Sequence, residues 1–222
     1  HFAPTDKAKD NLSSEGVDED SICVTGNTVI DALLDVAAFD FKFDTDLLNN
    51  IKGKIILITA HRRENFGKPL TDICNAILTL AKRYPDVTFI YPVHLNPNVR
   101  HTVYAILGNR PNILLIEPLE YVPFVHLMKR AHIMLTDSGG IQEEAPSLNK
   151  PVLILRKVTE RPEVVKAGGA KLVGTNPDTI IAETIRLLED TKEYNRMANI
   201  VNPFGDGRAS KRIVDFIKHE LN

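Results

Sequence analysis

Two stretches of this chain bring together residue types that suit a phosphate-bearing ligand. In Ile58-Thr59-Ala60-His61-Arg62-Arg63-Glu64-Asn65-Phe66-Gly67, a histidine directly follows an apolar β-branched run and precedes two guanidinium groups. An imidazole can carry a proton near neutral pH and guanidinium groups can pair with phosphate oxygens. His61 is therefore a candidate catalytic group and Arg62 a candidate phosphate ligand. A lone loop histidine is usually structural, but His-Arg-Arg-Glu-Asn at a strand end is uncommon by chance. In Leu135-Thr136-Asp137-Ser138-Gly139-Gly140-Ile141-Gln142-Glu143-Glu144, Gly139 and Gly140 let the backbone approach a ligand, and the helix expected next aims its free N–H groups at the same point. Ser138 can either cap that helix or donate to a phosphate oxygen. Glu144, deeper in the helix, has the reach to accept both hydroxyls of a ribose. Glu143 reads as a neighbour turned toward solvent.

Two more polar segments follow apolar runs. Tyr91-Pro92-Val93-His94-Leu95-Asn96-Pro97-Asn98-Val99-Arg100 places His94 where it either faces a ligand or caps, and Asn96-Pro97 can open a helix. In Arg156-Lys157-Val158-Thr159-Glu160-Arg161-Pro162-Glu163, Arg161 can clamp phosphate while Glu160 orients it or binds sugar; a solvated charged loop is the alternative.

These residues need a scaffold that brings strand ends together. The β-branched runs Ser21–Val24, Lys54–Thr59, Val87–Tyr91, Ile113–Ile116, Ile133–Leu135, Pro151–Leu155 and Lys171–Val173 alternate with helical patterns, which predicts βαβ units and a parallel sheet covered on both faces. Leu70, Ile73, Cys74, Ile77, Leu78 and Ala81 share one face of a helix over Leu70–Tyr84 that Pro85-Asp86 stops. Asn176-Pro177-Asp178 announces another helix, Thr179–Leu188, and the breaker-rich Asn202–Gly207 precedes a last one in Asp206–Leu221 with Ile213, Phe216 and Ile217 on one side. Ligands of such α/β sheets sit beyond the carboxyl ends of the strands, where all four polar segments fall.

Composition narrows the function classes. With 27 basic and 29 acidic side chains in 222 residues, the formal charge of -2 gives no global positive field for nucleic acid or an anionic membrane, so anion binding has to be local. The 2 cysteines, Cys23 and Cys74, stand far apart with no metal-ligand spacing, which points away from a disulfide framework or zinc site and toward a reduced, cytoplasmic protein. No apolar run reaches the roughly 20 residues of a membrane span. No cofactor or metal is expected.

Read in order, Val24-Thr25-Gly26-Asn27-Thr28-Val29-Ile30-Asp31, the His61 segment, Tyr91–Arg100, Asp137–Glu144 with Ala145-Pro146-Ser147-Leu148, Thr159–Glu163 and Asn202-Pro203-Phe204-Gly205-Asp206-Gly207 resemble the non-hydrolysing UDP-N-acetylglucosamine 2-epimerases over essentially the whole chain. Asn149, where glycine is commoner in that family, is the one departure noted. The resemblance implies a doubly wound, Rossmann-like α/β domain that forms the second half of a two-domain, B-type glycosyltransferase-like fold. It implies that residues 1–19 are the tail end of an absent N-terminal Rossmann-like domain, that 20–200 form the UDP-binding domain, and that 201–222 form a helix packing back toward the first domain. His61 is then catalytic and beside the diphosphate. Arg62, Ser138, Gly139, Gly140 and Arg161 hold phosphate, Glu144 binds ribose, Phe124 offers its backbone to uracil, and His94 and Glu160 line sugar or a regulatory site.

The reaction implied is C2 epimerisation of UDP-N-acetylglucosamine to UDP-N-acetylmannosamine by anti elimination and re-addition of UDP, for cell-surface polysaccharide precursors. The catalytic carboxylates are expected in the absent domain, so the chain alone is expected to bind UDP weakly and not to turn over. UDP-N-acetylglucosamine and UDP are the expected partners, with a homodimer in the full-length protein. A retaining glycosyltransferase, a hydrolysing epimerase and a non-catalytic nucleotide-sugar-binding module are the competing readings.

Overall fold

The computed structural model describes residues 1–220. The chain opens with β1 (Phe2–Ala3), α1 (Asp6–Ser14), β2 (Cys23–Val24), α2 (Thr28–Ala38) and α3 (Asp46–Asn49). There follow β3 (Ile55–Thr59), α4 (Lys68–Arg83), β4 (Thr88–Pro92), α5 (Pro97–Leu107), β5 (Ile113–Ile116), α6 (Tyr121–Arg130), β6 (Ile133–Thr136) and α7 (Gly139–Glu144). A 3-10 turn, Ala145–Leu148, leads to β7 (Val152–Ile154), α8 (Pro162–Ala167), β8 (Ala170–Leu172), α9 (Pro177–Glu189), α10 (Thr191–Ala198) and α11 (Ala209–Glu220). Leu221, where the sequence pattern ends the last helix, lies outside the described residues.

Strands β3 to β8 form one parallel sheet in the order β5-β4-β3-β6-β7-β8. Every residue of β3 is buried, as expected for a central strand covered on both faces. Alternate side chains divide between two cores. Ile56 and Ile58 join α4, α5 and α9 through Ile73, Ile77, Val103 and Ile180. Ile55 and Leu57 join α2 and α6 through Ile30, Leu33, Val125 and Leu127. The Leu70–Tyr84 stripe is on the first core, so the helical spacing marked a packing face.

Cys23–Val24 does not extend this sheet, contrary to the strand expected over Ser21–Val24. It pairs in parallel with Phe2–Ala3 in a separate two-stranded sheet. The β2 strand is only two residues long and Val24 is exposed, so it has no second face to bury between helices. The pairing joins segments on either side of the boundary expected at residues 19–20. Helix α11 returns to the same end, where Phe216 meets Phe2 edge-to-face at 5.6 Å. Asp31 of α2 caps α11, accepting from Ala209 N at 3.0 Å and Ser210 N at 2.8 Å.

The order of the sheet changes direction between β3 and β6, because β4 and β5 run outward on one side and β7 and β8 on the other. Loops leaving adjacent strands here turn to opposite faces, and the crevice between them is where such sheets take ligands. The His61 segment leaves β3 and the Gly139 turn leaves β6.

Leu57 lies on the central strand in register with Ile90 and Met134. Leu57→Ala is expected to cost about 2–5 kcal/mol through lost burial and a residual cavity. Urea unfolding should show a lower midpoint with unchanged slope.

Candidate functional site

The last rung between β3 and β6 is polar. Thr59 and Thr136 face each other, and their hydroxyls lie 2.6 Å apart in a buried hydrogen bond. Beyond it comes Asp137, fully buried at the start of the β6 turn. Its Oδ2 accepts from His61 N at 2.9 Å, Arg62 N at 2.8 Å and Asn65 Nδ2 at 2.9 Å. Its backbone carbonyl accepts from Arg62 Nε at 3.2 Å. One carboxylate therefore satisfies the first amides of the neighbouring loop, and the loop lays Arg62 over the glycine turn. A Cβ placed on Gly139 would stand 3.7 Å from Arg62 Nη2.

Asp137 Oδ1 is buried and without a hydrogen bond, and the nearest cationic candidate is His61 Nδ1 at 3.8 Å. The His61 ring stacks on His94, centroid to centroid 5.0 Å and 11° from parallel. His94 Nδ1 in turn accepts from Asn96 N at 3.1 Å, so His94 both caps its own turn and forms a wall beside His61. Burial holds the His61 pKa below its ordinary value; Asp137 opposes that shift, while His94 and Arg62 add to it.

The glycine turn is open on one side, since Gly139 itself is buried. Gly140 is exposed, Ser138 is half-buried, and the first-turn amides of α7 have no acceptor within the helix. Ser138 makes no side-chain cap, and its own amide donates to Thr136 Oγ1 at 3.0 Å. Helix α7 is only 6 residues long, so its contribution to anion binding comes from individual N–H groups more than from a macrodipole. At its other end Glu144 is buried against Tyr121, whose hydroxyl donates to Oε1 at 3.3 Å. Burial raises the Glu144 pKa to about 7 and that of Tyr121 to about 12. Gly139 and Glu144 are separated by roughly 7 Å of helix rise, which suits a phosphate at one end and a ribose at the other.

The family model for UDP-N-acetylglucosamine 2-epimerase matches residues 1–218. A probable UDP-N-acetylglucosamine 2-epimerase of Ralstonia solanacearum is 52% identical over 227 residues, which cover 98% of this chain and 60% of the relative. The chain belongs to this family. Among solved structures, a UDP-N-acetylglucosamine 2-epimerase from Listeria monocytogenes superposes with a TM-score of 0.94 at 44% identity, over 100% of this chain and 59% of that one. The Neisseria meningitidis enzyme bound to UDP-N-acetylglucosamine superposes with a TM-score of 0.90 at 51% identity, over 99% and 61%. The chain thus spans about 60% of the length of the curated relatives it matches. The Rossmann-like reading of the sheet agrees with these epimerase structures.

In this epimerase-family domain, His61, Arg62, Ser138, Gly139 and Gly140 come together at the crevice, and Glu144 lies along the same helix. Other expected placements need correction. Glu143 is not solvated: it is buried, Arg161 Nε donates to its Oε1, and Asn27 Nδ2 donates to Oε2 at 2.7 Å. The Glu160 carboxylate does not orient Arg161, although its backbone carbonyl accepts from Arg161 Nη1 at 3.3 Å. It pairs with Arg156 through two bonds of 2.6 and 2.8 Å, and this guanidinium lowers its pKa to about 2. The Phe124 amide is taken up inside α6, donating to Glu120 O at 3.0 Å. The free first-turn amides of that helix belong to Tyr121 and Val122, because Pro123 has none.

Asp137, Asn65, Tyr121 and Gln142 were not singled out by residue type. Gln142 is buried, with Nε2 donating to Ser138 O at 3.0 Å and Oε1 accepting from Thr159 Oγ1 at 2.5 Å, which fastens the Arg161 loop to the glycine turn. The described residues hold no group of three or more His, Cys, Asp or Glu placed for a metal ion, and no helix among them is long and apolar enough to cross a membrane.

Because folding raises the Glu144 pKa from 4.5 to about 7, the folded state holds that proton more tightly. Its contribution to stability is complete below the unfolded value and is lost as pH rises through about 7. Glu144→Gln should flatten this part of the stability-pH curve, measured by urea unfolding from pH 4 to 8.

Proposed function

We propose that the full-length protein interconverts UDP-N-acetylglucosamine and UDP-N-acetylmannosamine, and that this chain supplies the UDP-holding half. The observation that carries the reading is the junction of the β3 and β6 loops on Asp137, which sets His61 and Arg62 beside the open Gly139-Gly140 turn. The diphosphate sits on the amides of Gly139 and Gly140 and the hydroxyl of Ser138, with Arg62 and Arg161 as its cations. Glu144 takes the ribose hydroxyls, and the start of α6, up to Phe124, borders the uracil.

Elimination of UDP builds charge on the departing diphosphate, and preorganised amides and cations stabilise such charge without a metal ion. His61 faces that oxygen and exchanges its proton. The base that removes the C2 proton comes from residues outside this chain. His94 and Glu160 flank the sugar side or a regulatory site. In this reading residues 1–19 belong with a preceding Rossmann-like domain, 20–200 form the UDP-binding domain, and 201–222 return to the first domain. The contact of α11 with Phe2 supports that arrangement. A cytoplasmic homodimer completes the proposal.

Product analysis by NMR with the full-length protein tests the reaction: UDP-N-acetylmannosamine should appear with its sugar still joined to UDP. Free N-acetylmannosamine would favour a hydrolysing enzyme, and binding without product a regulatory module. His61→Ala should lower turnover by about 10²–10⁴-fold, the range removed with a general acid–base group. The 222-residue chain alone should bind UDP weakly and show no turnover; a normal rate would overturn the division of labour.

A further inference from the structure

The three hydrogen bonds to the Asp137 side chain leave one of its oxygens without a donor. All of those donors converge on Oδ2, leaving Oδ1 buried, unbonded and 3.8 Å from His61 Nδ1. A buried carboxylate oxygen without a donor is costly, and one retained in a native fold points to a catalytic role, an ordered water or a partner that arrives in another state. Closing this gap to a charge-assisted hydrogen bond of about 2.8 Å takes roughly 1 Å of ring movement. The backbone of His61 is already pinned to the other oxygen, so the side chain can turn without moving the loop.

We infer that Asp137 is the positioning residue for His61: its free Oδ1 receives Nδ1–H and so presents Nε2 to the diphosphate bound at the Gly139-Gly140 turn. The inference rests on the proposed UDP-binding role of that turn. No covalent bond to Asp137 forms or breaks. Its carboxylate fixes the tautomer with hydrogen on Nδ1, and when Nε2 takes a proton the same oxygen neutralises the imidazolium. The charged and titratable groups facing His61 are Asp137 from the β6 turn, His94 from the β4 turn and Arg62 from its own loop. Of these only Asp137 favours the protonated ring. A diphosphate adds a second anion on the opposite side, and the two act together against the effect of burial.

The structural alternative is that Asp137 only ties down the loop through Oδ2. The two roles differ in what they do to the imidazole. Histidine ¹⁵N NMR on the 222-residue chain, free and with saturating UDP, reads the tautomer directly. Neutral His61 should carry its hydrogen on Nδ1 in both states, and its pKa should rise when UDP is added. Asp137→Asn should lower the His61 pKa in the UDP complex by about one unit, a tenfold change in the ratio of protonated to neutral ring. Hydrogen on Nε2 in the wild-type chain, or an unaltered His61 pKa in a folded Asp137→Asn variant that still binds UDP, would overturn the inference and leave the UDP site standing. Absence of any histidine shift or UDP binding in the wild-type chain at millimolar UDP would overturn both. The tautomer measurement needs no variant, so it decides even if Asp137→Asn fails to fold.

Discussion

The site depends on one buried carboxylate. Two loops leave adjacent parallel strands at the point where the sheet reverses its order; Asp137 N still donates to Thr59 O at 3.0 Å, whereas the His61 and Arg62 amides of the other loop turn to the Asp137 side chain. Such donors must find a partner in the fold or in ordered water. Asp137 answers with three donors on Oδ2, two of them backbone. Hydrogen bonds to a charged group contribute about 1.5–3 kcal/mol each, against a desolvation cost of several kcal/mol for the ion. The near balance explains why a charge can sit here, and the gain is geometric: His61, Arg62 and Gly139 are referred to a single atom group.

The framework was legible because periodicity reports burial. Apolar runs of β3, β4 and β6 are buried on both faces, and the stripe of α4 meets one core, so the same residues that pack also spell the pattern. Turn chemistry was equally local: Asn96-Pro97 and Asn176-Pro177 start α5 and α9 with the asparagine side chains accepting from Asn98 N and Thr179 N. The β2 segment was misplaced because two β-branched or apolar residues look alike in any sheet. Which sheet they join is settled by Phe2–Ala3, about 20 positions away in sequence, where no periodic signal reaches.

Much of the site's wiring had no local trace for the same reason. Asp137 and His61 are 76 positions apart, and Asn27 and Glu143 are separated by 116. The glycines and the histidine could be found by type, since close approach and proton exchange demand those residues. The carboxylates could not be ranked by type. Glu143 and Glu144 are adjacent on a helix, so their side chains leave about 100° apart. One meets Arg161 and Asn27, the other Tyr121. Likewise Glu160 and Arg161 are neighbours whose side chains pair with different partners, Arg156 and Glu143.

Glu143 also ties Gly26-Asn27 and Asn202–Gly207 to the helix that follows the glycine turn. Asn202 Nδ2 donates to the Glu143 carbonyl at 2.8 Å, and Asn27 N donates to Phe204 O at 2.7 Å. Gly26, with φ +86, lies so close to the returning chain that a Cβ would stand 3.3 Å from Gly205 Cα. Arg161 offers five N–H donors, of which Glu143 occupies Nε, so the arginine can share its fork with a phosphate while keeping its carboxylate partner. Glu143 thus joins Arg161 to the segment after β2 through Asn27, and to the turn before α11 through Asn202. Arg161, Glu143 and the segments that join the chain's two ends therefore form one hydrogen-bonded unit.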